Sequence, residues 1–317
     1  MSAARVMLTP NDVVIHRNPS ERLIKNFCET ISQYRKDFHE EDIKLLQNTM
    51  GDKYNLYLLC LKDSDDVIAS SHVINYESIA TEKGFQTWGL AWHLSKYHAN
   101  GILTHLIHQM SEELSASTLN VGGCAQPESA AIWRKFLYTR VRGCTYFVSS
   151  YKPNELANPD IDYEKYRIKD VTEIPASDLI NYDQTIFPYQ RAKMMETLLK
   201  NGISKIAYDE KGNVVGMGCL TTYKSGMATL GPLYCDNSII AQAIFQNIVK
   251  DIPKGSVETI QIRCSDKFQE SATWIRPFLR KKQEMTMHSH VKFNRGIPVG
   301  LNFTKAYVNS NPDNAPL

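Results

Sequence analysis

Apolar residues from Glu21 to about Tyr34 recur at fourfold spacing (Leu23, Phe27, Ile31), the mark of a helix with one buried face. Ser20, behind Asn18-Pro19, stands where a helix cap belongs. The same spacing predicts helices over His39–Met50, Gly101–Ser115, Pro127–Val141, Pro175–Tyr182, Tyr189–Lys200, Ser238–Val249 and Phe268–Leu279. Between them lie short runs rich in aliphatic and aromatic residues. Val13–His16, Tyr54–Lys62, Val67–Tyr76, Thr87–Leu94, Thr118–Gly123 and Cys144–Ser150 read as strands in the first half. Tyr166–Val171, Ser204–Tyr208, Val214–Thr222, Met227–Leu233, Val257–Cys264, Met285–Phe293 and Phe303–Val308 read as strands in the second. Polar turns at Asp63-Ser64-Asp65-Asp66 and Asp209-Glu210-Lys211-Gly212-Asn213 occupy the same slot in each half. Each half therefore reads β-α-α-β-β-β-α-β-α-β, an internal repeat that implies one mixed sheet with helices on both faces, made twice.

Composition agrees with that division. At ~150 residues per domain, 317 residues make about two domains. Lys+Arg minus Asp+Glu is 36 − 34 = +2, which argues against an electrostatic nucleic-acid binder. No run approaches the roughly 18–20 apolar residues of a membrane span. Residues 1–11 lack the pattern of a secretory leader, so a cytoplasmic protein is expected. The seven cysteines are scattered and form no CxxC pair, so neither a metal ribbon nor a disulfide framework is signalled. Cys60, Cys124, Cys219 and Cys264 sit in apolar runs and read as buried thiols.

The chemistry concentrates after Trp88. There a strand ends, a short loop containing Gly101 follows, and a helix begins, aiming backbone N–H groups at one point, as an anionic phosphate requires. An ordinary strand-to-helix turn has the same appearance. At this point the chain resembles the GCN5-related N-acetyltransferase (GNAT) superfamily, whose Q/R-x-x-G-x-G/A loop holds the pyrophosphate of coenzyme A. The matching stretch is His98-Ala99-Asn100-Gly101-Ile102-Leu103; Gly101 matches the central glycine, while His98 and Leu103 depart from the pattern. Asp183-x-x-x-Phe187-x-x-x-Arg191, Gly212–Gly218, Leu230–Asp236 and Tyr307 resemble the C-terminal domain of two-domain YitH/HolE-type acetyltransferases.

The resemblance implies an α/β protein of two tandem GNAT-like domains, each a mixed, mostly antiparallel (α+β) sheet flanked by helices. The expected division is residues 1–152, a linker 153–160, residues 161–310 and a tail 311–317. It implies acetyl-CoA or another short acyl-CoA as co-substrate, with no metal. Leu94 is the expected backbone contact to the acyl carbonyl. Tyr138 is the expected acid for the departing thiolate, with a structural tyrosine as the alternative. His93, His72 and Glu77 are the candidate bases. The C-terminal loop Tyr234–Ser238 has no glycine and places Asp236 where a pyrophosphate would sit, so Asp236 or Ser238 reads as a helix cap and the cofactor is assigned to the N-terminal half. The C-terminal half then shapes the acceptor pocket, with Tyr189, Arg191 and Tyr223 as candidate contacts; for Arg191 an internal ion pair with Asp183 is the competing reading. The expected activity is direct acyl transfer to a small amine or amino-acid-like acceptor in a ternary complex. Alternatives are a degenerate acyl-CoA binder without turnover and a protein lysine or N-terminal acetyltransferase. Neither nucleic acid nor membrane is an expected partner, and a monomer or homodimer is expected.

Overall fold

The computed structural model describes residues 8–35, 38–80, 83–114, 119–126, 134, 141–266, 273–281 and 285–309. The strands of the first half are β1 (Val13–Arg17), β2 (Tyr54–Leu61), β3 (Val67–Tyr76), β4 (Phe85–His93), β5 (Asn120–Ala125) and β6 (Val141–Tyr151). Those of the second are β7 (Arg167–Asp170), β8 (Ile203–Tyr208), β9 (Val214–Thr222), β10 (Met227–Cys235), β11 (Thr259–Ser265), β12 (Thr286–Phe293) and β13 (Ala306–Val308). The helices are α1 (Glu21–Ile31), α2 (Glu40–Met50), α3 (Ile102–Leu114), α4 (Ala176–Gln184), α5 (Ala192–Asn201) and α6 (Ser238–Asp251). The expected helix over 127–141 lies outside the described residues save for positions 134 and 141, and Val141 opens β6. Of the expected helix over 268–279, the described part holds only a 3-10 turn, Arg276–Phe278, whose Pro277 cannot continue a ladder. Tyr189 bridges to Ser78 instead of opening a helix, and α5 begins at Ala192 with Arg191 as its N-cap.

The strands join into one sheet of thirteen, ordered β1-β2-β3-β4-β5-β12-β6-β11-β13-β10-β9-β8-β7. The halves exchange strands at its centre. β12, from the C-terminal half, pairs with β5 through His290↔Ala125 and Val291↔Cys124. β6, from the N-terminal half, pairs with β11 through Cys264↔Phe147. β6 and β12 then pair with each other, antiparallel, across the middle. β12, read from the sequence as a strand of the second half, pairs with β5 and so completes the N-terminal sheet. Each half keeps a single parallel pair, β4 with β5 and β10 with β11.

Burial follows the predicted stripes. Leu23, Phe27 and Ile31 of α1, and Ile43, Leu46 and Met50 of α2, pack on one face of the N-terminal strands. Leu106, Ile107 and Met110 of α3 pack on the other. In the second half, Ile240, Ile244 and Ile248 of α6 lie over Gly216 and Gly218, where a Cβ would come within 2.6 and 2.7 Å of their methyl groups. All seven cysteines are buried as free thiols.

Candidate active site

The parallel strands part company. β4 and β5 are paired from Phe85↔Asn120 to Trp88↔Gly123, and beyond that point they diverge. One extra residue in β4 starts the divergence. The register against β3 shifts between Ser70↔Trp92 and His72↔Gly89, and Leu90 takes a left-handed backbone, φ 52°. Ser70 Oγ and Ser71 Oγ donate to the carbonyls of Leu90 and Gly89 at 2.9 and 3.1 Å, pinning the bulge. Trp88 closes the apex of the cleft; it is buried, and its indole N–H meets no acceptor among the described residues.

At the open end of the cleft, a 3-10 turn, Ser95–Asn100, leads into Gly101 at φ 65°. The Gly101 carbonyl accepts the first helical bond, from His105 N–H at 2.8 Å, so α3 starts at Ile102 with its leading amides outside the ladder. A Cβ on Gly101 would meet nothing within 4 Å; glycine is required here by its dihedral angle rather than by crowding. Ile102 and Leu103 are both buried in the core, so Leu103 does not stand in front of the helix end. The backbone of His98, Ala99 and Asn100 forms the turn. These features fit an anionic group at the mouth of the cleft and an extended arm within it.

The second half repeats this geometry and fills it. β10 and β11 pair from Met227↔Thr259 to Leu230↔Ile262, and the β9–β10 register shifts at Gly231-Pro232, a cis peptide. Into the divergence comes β13: Leu233↔Val308 and Tyr234↔Ala306 on one side, Cys264↔Val308 on the other. Cys235 N–H donates to Lys305 O at 2.9 Å, and Asn309 N–H to Arg263 O at 3.1 Å. In front of α6, Asp236 accepts from Tyr182 Oη at 2.9 Å and pairs with Lys305 Nζ at 2.8 Å. The cap of α6 is Asn237, whose Oδ1 accepts from Ile240 N–H at 3.0 Å, rather than Asp236 or Ser238. Among the described residues no strand enters between β4 and β5.

The predicted site residues fall in several places. Leu94 N–H donates to Ile68 O at 2.9 Å, inside the sheet. Strand alternation therefore turns the main chain of His93, rather than that of Leu94, toward the cleft. His72 is buried on β3 with its ring 5.5 Å from that of Tyr54. Glu77 follows the far end of β3, where Tyr76 pairs with Phe85, four residues before Gly89 and so roughly 13 Å along the strand from the bulge. It pairs there with Lys53, and its carbonyl accepts from Gln190 N–H at 2.8 Å, tying the two halves together. Tyr138 lies outside the described residues.

Arg191 is buried: its Nε and Nη2 donate to Asp183 at 3.0 and 2.6 Å, Nη2 reaches Tyr234 Oη at 3.2 Å, and the guanidinium lies 3.7 Å from the Phe187 ring. Tyr189 also packs on Phe187 and donates to Val299 O at 2.9 Å. Tyr223 belongs to a separate cluster, stacked 3.4 Å from His39 and donating to Asp42 Oδ1 at 3.2 Å. Burial, with the Asp42 carboxylate beside it, raises the Tyr223 pKa. The three C-terminal candidates thus serve contacts within the protein.

Sequence reading passed over the face of β4 that bears Trp92. That ring lies 6.0 Å from Phe27 on α1 and 6.1 Å from Tyr34, which is 57% exposed. The only local sign of it was an aromatic residue just before the loop. It also passed over His290, described below.

A twice-built mixed sheet with a bulged, diverging parallel pair defines a tandem GNAT fold. Residues 179–287 match the model of an acetyltransferase (GNAT) domain. Residues 10–186, more than half of the chain, match the family described as a protein of unknown function (DUF1248), and the chain belongs to that family. Solved structures share the whole architecture. A protein of Pyrococcus horikoshii described as a candidate acetyltransferase superposes with a TM-score of 0.71 at 15% identity over 99% of each chain. A tandem GNAT protein from the clavulanic acid biosynthesis pathway gives 0.59 at 8% identity, over 89% of this chain and 97% of its own. A GCN5-related N-acetyltransferase from Sphaerobacter thermophilus gives 0.57 at 13% identity, over 93% and 100%. No curated protein matches the chain. Among the described residues no helix is long and apolar enough to cross a membrane.

Proposed function

We propose that the protein is an acyl-CoA-dependent N-acyltransferase that takes acetyl-CoA, or another short acyl-CoA, in its N-terminal half and transfers the acyl group directly to a small amine. One observation carries this reading: among the described residues no strand enters between β4 and β5, while β13 fills the equivalent β10–β11 cleft. A thioester arm and β13 would compete for the same strand edges, so only one half has room. The pyrophosphate would lie against the backbone of residues 98–103, where Gly101 and the first amides of α3 supply a dipole and unspent donors. The thioester would reach the bulge at Gly89–Leu90, where the strand edge can polarise its carbonyl.

The acceptor would approach over Trp92 and Tyr34, an aromatic wall suited to an amine with an apolar or planar body. The C-terminal half contributes by leaning the loop Pro188–Gln190 on Glu77 and Ile79. Because the thioester is already activated, positioning the amine and accepting its proton supply most of the rate. Calorimetry with acetyl-CoA, followed by thiol release with a panel of small aromatic and aliphatic amines, tests this reading. Binding with amine-dependent release is expected. Absence of binding at millimolar acetyl-CoA, or binding without release by any amine, would contradict it.

A further inference from the structure

The exchanged strand β12 carries polar side chains, His290 and Lys292, to the back of the N-terminal cleft wall, with Lys292 paired to Gly123. Beyond Trp88↔Gly123 that wall is Cys124 and Ala125 of β5. Directly behind it β12 pairs His290 with Ala125. Side chains alternate along a strand and match across a pair, so Ala125 and His290 share the face of Gly123 and Trp88. His290 is only partly buried.

Its ring is held by a short network. Thr145 Oγ lies 3.0 Å from His290 Nδ1 and accepts from Arg142 Nη2 at 2.6 Å. Arg142 in turn pairs with Asp266, whose Oδ1 accepts from Thr145 N–H at 2.8 Å. Arg142 has no lone pair to offer, so the one acceptor within reach of the Thr145 hydroxyl proton among the described residues is Nδ1. The imidazole then keeps its proton on Nε2, which is bonded to none of the described residues. Burial, Lys292 and Arg142 all depress its pKa, while Asp266 opposes them less strongly, so the ring is neutral at pH 7.

We infer that His290, delivered by the C-terminal half, is a catalytic residue of the N-terminal cleft, its Nε2–H donating a hydrogen bond to the sulfur of the departing coenzyme A. In the step it assists, the amine nitrogen bonds to the acyl carbon and the C–S bond breaks with its electron pair on sulfur. The nitrogen's proton passes to solvent; His290 keeps its own proton and stabilises the thiolate. Thr145 and Arg142 are positioning residues that fix the tautomer. This role rests on the acyltransferase reading, and it gives the strand exchange a purpose, since neither half alone holds both the cleft and the donor.

The test is NMR of the full chain labelled with 15N-histidine, titrated with coenzyme A and, separately, with 3′,5′-ADP, which lacks the thiol. The Nε2–H tautomer is expected, with a shift of the His290 Nε2 resonance on adding coenzyme A but not the nucleotide. His290→Phe, which removes the donor, should lower thiol release from acetyl-CoA about 10²-fold at unchanged calorimetric affinity. Thr145→Val should move the tautomer and lower the rate less. Wild-type protein that binds acetyl-CoA while His290 stays unmoved, or a His290→Phe variant with full turnover, overturns this role alone. Wild-type protein that does not bind acetyl-CoA fails the acyltransferase reading, and this role with it.

Discussion

Val308 on β13 pairs with Leu233 on β10 and with Cys264 on β11, so a single residue spans the cleft of the C-terminal half from edge to edge. All three side chains are buried. A charge at this position would sit uncompensated between two strands. Val308→Asp is therefore expected to cost about 3 kcal/mol or more in urea unfolding, while Val308→Thr, which keeps the volume and adds only a hydroxyl, should cost less, about 1–3 kcal/mol.

Asp183 and Arg191 form a buried two-bond ion pair beneath Phe187 and Tyr234. Removing one partner leaves the other charge buried and unpaired. Asp183→Ala should lose about 3–5 kcal/mol of stability. Arg191→Lys should also destabilise, because an ammonium cannot reproduce the planar fork. If Arg191 instead served the acceptor, the lysine variant would keep its stability and lose affinity for the amine; equilibrium unfolding beside a KM measurement separates the two.

The thiols are shielded. Burial pushes Cys28 and Cys264 up to about 12, and Cys60 and Cys219 up to about 11. Thiolate is the reactive form, so all seven cysteines should react slowly with a disulfide reagent at pH 8 and rapidly after denaturation. A thiol that reacts at once in the native protein would contradict the placement of the strand that carries it.

His290 makes stability depend on pH in a defined direction. Its folded pKa lies below the unfolded value of ~6.5. Above that value neither state holds the proton, and the group contributes no pH dependence. As pH falls below ~6.5 the unfolded chain takes up a proton that the folded chain resists, so the native state loses stability until pH passes the folded pKa. Thermal unfolding between pH 7.5 and 5.5 should fall more steeply for wild type than for His290→Gln. Parallel curves would show that the ring titrates normally.

The elements were legible because their signals are local. Leu23, Phe27 and Ile31 mark α1, and the paired turns at 63–66 and 209–213 mark the repeat. Gly101 was legible for the same reason, since its dihedral angle and the following helix are consequences of adjacent residues. The partners of the central strands were not. Ala125 and His290 are 165 positions apart, and nothing in either strand's alternation says which antiparallel neighbour it takes. Arg191, read as a possible acceptor contact, could be settled only by the packing of Asp183, Phe187 and Tyr234 around it. The aromatic wall at Trp92 and Tyr34 depends on how α1 and the turn after it pack over the sheet, which no spacing encodes.

One cleft of the two is expected to hold the acyl-CoA. Hydrogen exchange of the full chain with and without saturating acetyl-CoA, read together with calorimetric stoichiometry, tests it most directly. One coenzyme per chain is expected, with new protection over residues 89–103 and none over 231–241. Two coenzymes per chain, or protection that appears at 231–241 instead, would contradict it.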